Sequence, residues 1–406
     1  MKIGFNINIS FPSGGATTNR VFTLAKGLEE QGNIIKVYCL RPTENKNNRL
    51  NKNKKGNYNN INYHYTPFSI FRSKNKFIRG IWVFSGFLNF LFLFLYDSRK
   101  MKYDYIISST SNIVSNLVIK TMCKLTKTKF ILAIDEYPHV VRTPRKYPNW
   151  FNKFYIKWFH LFFDAYIVMT SVLIKYYKQY SKLEAAFIHV PMTVEMERFE
   201  KKPSIPSELV NIKYIAYCGS LGQNDKDGVP ILIKAFAKVK EKLNNEERNL
   251  KLVIIGSVSS EKDRIKEDEL KQLVSELGVK NDVIFTGKIH KDEMPNYLCN
   301  AYALCLARPN NIQAQGGFPT KLGEYLATGN PVVVTSVGEI PVYLDEKSAY
   351  IAEPDSVEDF ANKLYKCLGD PEASIIGEKG KEIANKNFNY KTQGFNLHNF
   401  LLKLNK

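Results

Sequence analysis

The chain has 406 residues, 44% hydrophobic and 24% charged, which excludes a disordered or fibrous protein and supplies apolar material for two cores rather than one. Its net charge of +19 is lopsided: residues 1–200 carry 30 Lys and Arg against 12 Asp and Glu, the remainder 28 against 27. Such a field selects anions, whether a phosphate-bearing ligand, an anionic membrane leaflet or nucleic acid, and no helix-turn-helix, zinc-finger or RNP-like pattern supports the last.

Strand-length apolar runs recur along the first half, at residues 2–9, 34–40, 104–108, 129–134, 165–169 and 186–190, with helical segments between them. Continuous hydrophobic strands alternating with helices predict a parallel sheet covered on both faces. The Asn/Lys-rich residues 44–60 are expected to be a mobile loop with no packing role. Residues 81–96 are apolar over 16 positions, interrupted by Asn89 and flanked by Arg72, Lys74, Lys76 and Arg79 before and Arg99, Lys100 and Lys102 after. That falls short of the ~20 residues of a bilayer span. A membrane-lying helix is the first reading and a core helix the second.

After Val190 a charged stretch with three prolines reads as an interdomain linker. Strand and helix alternation then restarts at residues 214–218, 251–255, 282–286, 302–306, 331–335 and 349–353. The expected fold class is therefore α/β, with two doubly wound Rossmann-like parallel-sheet domains and a ligand cleft between them. The domains are residues 1–200, which carry the basic surplus, and residues 208–387. A closing helix over 388–406 crosses back to the first domain. Six scattered cysteines without a C-x-x-C pair, and an N-terminus that opens directly on a strand, predict a cytoplasmic chain with reduced thiols.

Three strand–loop–helix stretches can carry chemistry. In the first, Gly14 and Gly15 let the backbone approach a ligand at a helix N-terminus. In the second, Gly219 and Ser220 end a strand, and Lys226 precedes an Asp227-Gly228 turn. Lys226 either reaches a diphosphate as a point charge or is a solvated loop lysine. In the third, residues 302–335, a strand enters a Gly-rich loop and Pro319 suits the first turn of a helix that Gly329 ends. Backbone amides over Gly317 to Thr320, a stretch that includes Phe318 and Pro319, are expected to point at an anion or at sugar hydroxyls. Glu324, the only acid between Met294 and Val337, either accepts two ribose hydroxyls or pairs with Lys321 one turn away.

In this order and at this separation the three stretches resemble the family 4 glycosyltransferases of GT-B fold, of the capsular or exopolysaccharide type, over essentially the whole chain. The resemblance implies retention of anomeric configuration. It matches Gly14 and Gly15 to an N-terminal Gly-Gly loop, Lys226 to a lysine on the donor diphosphate, Gly317, Phe318 and Pro319 to amides holding the donor sugar, and Glu324 to the second glutamate of an E-x7-E motif, which grips the ribose. Two positions depart from the pattern. Gly316 stands where the first glutamate belongs and Ser220 where an arginine usually helps hold the diphosphate; Lys321 and Arg308 are candidates to supply the missing cation. Asp135 and Glu136 follow a strand end in a segment similar to the family's acceptor region. They are candidates to stabilise charge on the sugar or orient the acceptor hydroxyl, and His139 lies nearby; the alternative is an ion pair with Arg142 or Arg145.

The implied function is transfer of a sugar from a UDP- or GDP-sugar to a lipid-linked glycan acceptor in bacterial surface polysaccharide synthesis, by a protein peripheral to the inner face of the membrane. No metal or other cofactor is expected, because cationic side chains make a divalent metal unnecessary. The competing reading is a catalytically silent sugar-nucleotide-binding subunit of a glycan assembly complex, motivated by Gly316.

Overall fold

The computed structural model describes all residues except 48, 111, 139–148, 201–202, 223–225, 245–246, 259–260 and 405–406. The chain forms two compact units, Met1–Thr193 with Tyr390–Lys406, and Val194–Asn389.

The first unit is built on an eight-stranded sheet. Its strands are β1 (Lys2–Ile7), β2 (Ile34–Cys39), β3 (Lys55–Tyr58), β4 (Ile61–Tyr65), β5 (Tyr105–Ser108), β6 (Lys129–Ile134), β7 (Ala165–Val168) and β8 (Ala186–His189), in the order β3-β4-β2-β1-β5-β6-β7-β8. All neighbours are parallel except β3 and β4. β1, β5 and β7 are buried along their whole length, as a sheet covered on both faces requires. The chain winds outward from β1 to β4 and then returns to β5, so the order reverses between β1 and β5, and residues 8–10 leave the sheet at that switch point.

The Asn/Lys-rich segment is folded, contrary to the expectation of a mobile loop. Lys55–Tyr58 pairs antiparallel with Ile61–Tyr65 through Asn59 and Asn60, whose φ values of 48° and 61° are those of a two-residue hairpin turn that asparagine tolerates. Glu44 is buried and accepts from Leu50 N (2.8 Å), Asn51 N (3.1 Å) and Asn51 Nδ2 (2.8 Å). A polar composition conceals this structure because its partners are backbone groups rather than apolar side chains.

The apolar stretch at 81–96 belongs to a longer helix, Lys76–Lys100, of 25 residues. Asn75 caps it by accepting from Phe77 N and Ile78 N, and its cationic flanks continue the helix instead of ending it. Among the described residues it alone is long and apolar enough to cross a membrane by length and composition. One face packs on the protein. Phe90 and Phe94 are buried against Tyr38 and Tyr103, Asn89 Nδ2 donates to Thr66 O at 2.9 Å, and Gly86 passes so close that a Cβ would lie 2.5 Å from Leu40 O. Phe77, Ile81, Phe84, Leu88, Phe92 and Tyr96 remain exposed.

The last helix, Tyr390–Leu404, lies on Ala16–Glu29 of the first unit. Gly27 and Gly394 meet backbone to backbone, and a Cβ on Gly27 would stand 2.5 Å from Tyr390 O. Leu397 and Leu401 enter the core under β1 and β2, and Tyr105 Oη donates to Leu401 O at 2.5 Å.

The second unit carries a six-stranded, all-parallel sheet of β9 (Tyr214–Cys218), β10 (Lys251–Ile255), β11 (Val283–Gly287), β12 (Ala303–Leu306), β13 (Val332–Thr335) and β14 (Tyr350–Ala352), ordered β11-β10-β9-β12-β13-β14. Its order reverses between β9 and β12. The stretch after Val190 that reads as an interdomain linker contains the boundary between the units at Thr193 and Val194, and beyond it packs on the second unit: Met196, Phe199 and Leu209 are buried, and Val194 N donates to Phe388 O at 2.8 Å.

The Gly27–Gly394 contact gives a direct test. Gly27→Ala should destabilise the protein by ~1–3 kcal/mol through overpacking, measured by urea unfolding. A value within error of wild type would mean that the two helices approach less closely than described.

Candidate functional site

The reversal point of the second sheet sets the geometry. β9 hands the chain to residues 219–228 and β12 hands it to Ala307 and Arg308, side by side at the carboxyl ends of adjacent strands, where ligands of open parallel sheets bind. Both ends of the first loop are glycine for steric reasons. A Cβ on Gly219 would lie 2.2 Å from both Lys321 Nζ and Tyr217 Oη, and one on Gly228, at φ 65°, only 1.7 Å from Ala307 O. Gly228 leads straight into the helix Val229–Lys242.

Within that crowded turn sits a compact polar knot. Lys321 Nζ lies 2.5 Å from Asp227 Oδ2 and donates to Tyr217 Oη at 3.2 Å, while Tyr217 Oη donates to the same Asp227 oxygen at 2.9 Å. The ammonium also stands 4.6 Å from the Tyr217 ring centroid. Burial by itself raises the Asp227 carboxyl, but the Lys321 ammonium outweighs it and, with the Tyr217 hydroxyl and Arg308, holds it below the ordinary aspartate range. Arg308 is buried and donates from Nη2 to Gln313 O at 3.2 Å, and its carbonyl accepts from Thr335 Oγ1 at 2.6 Å.

Lys321 and Glu324 share the helix Thr320–Ala327 but do not pair with each other. Glu324 Oε1 takes Arg198 Nη1 at 3.1 Å, and Arg198 Nη2 donates to Lys291 O at 2.5 Å. Burial pushes the Glu324 carboxyl up against the opposing pull of Arg198 and Lys321. One turn along, Tyr325 Oη accepts from Cys218 N at 2.6 Å and fastens this helix to the end of β9. Lys321 and Arg308 thus face Asp227, while Arg198 faces Glu324, with Glu195 acting on the same Glu324 carboxylate.

The approach to this helix departs from expectation in three details. The loop before it contains a short helix, Ile312–Gly316, capped by Asn311. Gly317 N donates to Gln313 O at 2.9 Å, so that amide closes the short helix and is not offered to a ligand. Pro319 is the cap residue ahead of Thr320 rather than a member of the first turn. Phe318 is buried edge-on to Tyr343 and beside Phe388, a packing role that positions the turn.

Ser220 is exposed and, with Leu221, Gly222 and Asp227, lines a cavity of about 250 Å³ closed by Lys266 and Glu269 of the helix Glu261–Glu276. Lys226 is exposed and, among the described residues, forms no ion pair. The structure thus brings Gly219, Arg308, Lys321 and Glu324 together, and leaves Lys226 at the rim of the same loop.

In the first unit, Gly14 and Gly15 precede Ala16–Glu29 and line a separate cavity of about 760 Å³. Asp135 Oδ1 lies 2.6 Å from Nε of buried Arg20, whose Nη1 and Nη2 donate to Pro191 O and Val190 O. Among the described residues Arg20 is the ion partner of Asp135; His139, Arg142 and Arg145 lie outside the described residues. Glu136 is half-buried, and its carbonyl accepts from Tyr177 Oη at 3.2 Å.

Sequence reasoning missed Arg198, Asp227, Tyr217 and Arg20. Arg198 sits in a stretch read as linker, with no periodicity to mark it. Asp227 was legible only as a turn residue, next to the glycine that opens a helix.

Comparison with known proteins bears on this geometry. Residues 212–370 match the family described as "Glycosyl transferases group 1". The chain is 32% identical over 138 residues to the alpha-1,3/1,6-mannosyltransferase ALG2 of Dictyostelium discoideum, covering 34% of this chain and 31% of the relative. It is 26% identical over 227 residues to a GDP-mannose-dependent alpha-(1-6)-phosphatidylinositol monomannoside mannosyltransferase of Mycolicibacterium smegmatis, 53% of this chain and 56% of the relative. It is 28% identical over 204 residues to a D-inositol 3-phosphate glycosyltransferase of Corynebacterium aurimucosum, 48% and 44%. The chain thus spans about a third to a half of the length of these relatives. Among solved structures, the sucrose-phosphate synthase of Thermosynechococcus elongatus superposes with a TM-score of 0.75 at 16% identity, covering 99% of this chain and 98% of that one. Anabaena HepE in complex with UDP and glucose gives 0.70 at 15%, covering 99% of both. The fold is the GT-B type: two Rossmann-like parallel-sheet domains in an α/β architecture.

The Lys321–Asp227 pair generates a prediction that needs no ligand. Lys321→Met leaves a buried carboxylate without its counter-charge and should cost ~3–5 kcal/mol of stability. Because the folded carboxyl titrates below its ordinary 3.8, its contribution is present above that pH and lost as the pH falls through the folded value. The stability gap between wild type and Asp227→Asn, read from urea unfolding at a series of pH values, should therefore narrow on acidification; a gap constant with pH would contradict the pairing.

Proposed function

We propose that the chain is a retaining glycosyltransferase that takes a sugar from a nucleotide-sugar donor and passes it to a lipid-linked glycan acceptor at the inner face of a bacterial membrane. One observation carries the reading: the cations Arg308, Lys321 and Arg198 gathered around Asp227 and Glu324 at the reversal point of a parallel sheet, all but Arg198 within the segment 212–370 that matches the group 1 glycosyl transferases. The relatives named for mannosyl transfer, and those named for a phosphatidylinositol mannoside or an inositol phosphate, support a sugar donor and a phosphate-bearing acceptor.

In this reading Glu324 accepts the ribose hydroxyls and orients the nucleotide, with Arg198 fixing the carboxylate. Ser220, Gly219 and the turn of Gly317, Phe318, Pro319 and Thr320 wall the donor. The acceptor hydroxyl oxygen bonds to the anomeric carbon on the face that the leaving group vacates, while the bond from that carbon to the diphosphate oxygen breaks. The departing diphosphate takes the acceptor proton. Lys321, Arg308 and Lys226 neutralise the charge that develops there, and Asp135, oriented by Arg20, and Glu136 align the acceptor.

Lys226→Ala should lower turnover by ~10² to 10³ while leaving the melting temperature unchanged, and Glu324→Ala should weaken binding of UDP or GDP measured by calorimetry. Turnover should persist in EDTA. A rate near wild type for Lys226→Ala would remove its diphosphate role. Gly316 favours a second reading, a silent nucleotide-sugar-binding subunit. Release of free sugar from UDP-glucose or GDP-mannose by the purified protein distinguishes the two, since a silent subunit binds without turnover.

A further inference from the structure

The cavity of about 760 Å³ in the first unit is lined at its base by residues 8–10 beyond β1 and by the Gly14–Gly15 loop, and its wall carries Arg41, Arg72, Lys76 and Arg79. No acidic residue lines it. Among the described residues none of the four cations enters an ion pair. The one carboxylate of the adjoining loop, Glu44, faces Leu50 N, Asn51 N and Asn51 Nδ2 instead. Four cations around one concavity repel each other, and an anion of two or more charges relieves that repulsion.

The same wall begins an apolar surface. Lys76, Arg79, Gly80 and Val83 line the cavity from the helix Lys76–Lys100, and their neighbours Phe77, Ile81 and Phe84 start an exposed stripe that continues through Leu88 and Phe92 at three- and four-residue spacing. Phe84 is 63% and Phe92 71% exposed. The stripe does not await the protein's own core, because the opposite face already holds Phe90 and Phe94. Cations at both helix ends, with aromatic and aliphatic side chains between, are what an anionic lipid surface binds.

We infer that this cavity is a receptor for the phosphate or diphosphate of a membrane lipid, with the helix stripe lying in the lipid interface beside it. A soluble phosphate compound would fill the cavity and leave the stripe without a partner, whereas a phosphorylated lipid uses both. That this lipid is the sugar acceptor rests on the transferase reading; the site itself does not.

Flotation of the full chain with phosphatidylcholine vesicles, plain or containing a polyprenyl diphosphate or phosphatidylserine, tests it, with UDP at saturation to occupy the other unit. Wild type should prefer the diphosphate vesicles to the phosphatidylserine ones by about tenfold or more, near 1.4 kcal/mol. Arg72→Ala/Lys76→Ala/Arg79→Ala should abolish that preference. Phe84→Asp/Phe92→Asp should lose all vesicle binding yet keep calorimetric binding of inorganic pyrophosphate. Equal binding to phosphatidylserine overturns the receptor, and pyrophosphate binding without vesicle binding in wild type overturns the lipid. UDP calorimetry on each variant reports folding and the donor site separately: UDP binding without the lipid preference sinks this inference alone, and the preference without UDP or GDP binding sinks the transferase reading alone.

Discussion

The second unit depends on one buried ammonium–carboxylate contact. Lys321 arrives from the helix after β12 and Asp227 from the loop after β9, so their pairing joins the two strand ends that flank the sheet's reversal. Two charges removed from water need nearly complete compensation, which Tyr217 supplies as a donor to the same oxygen. Gly219 and Gly228 follow from this, since side chains there would collide with Lys321 or with the Ala307 carbonyl. Arg308 and the Arg198–Glu324 pair complete the charged cluster around it.

That arrangement bears on Ser220, which stands where the resembling family carries an arginine. Cationic character has not been lost from the turn. It is carried by Lys321 and Arg308, both partly engaged with Asp227, so in the proposed reading a donor diphosphate would share existing cations. The Glu324 carboxylate is likewise held by Arg198. Preorganisation of this kind lowers the reorganisation that binding must drive.

The strands of both sheets were legible because parallel strands buried on both faces read as unbroken apolar runs, as at β9 and β13. The β3–β4 hairpin was not, because its turn uses Asn59 and Asn60 rather than glycine and its anchor is Glu44, a carboxylate satisfied by amides. In the site, Gly219, Lys321 and Glu324 were visible from strand-to-helix spacing. Their partners were not: Arg198 lies 126 residues from Glu324 and Asp227 lies 94 from Lys321, and no local periodicity encodes contacts across such separations. Lys321 and Glu324 stand at a spacing that suggests mutual pairing, and tertiary partners override it.

The return of Tyr390–Leu404 to the first unit has a consequence for biogenesis. On the ribosome β1 emerges before Val194–Asn389, while the helix that seals the layer beneath β1 and β2 emerges after all of it. Until that helix is made, the seat of Leu397 and Leu401 stays open, and the nascent chain exposes it during the whole synthesis of the other unit. Domains ordinarily complete themselves from the N-terminus onward; here the unit begun first finishes second, and a stop within Val194–Asn389 leaves both unfinished.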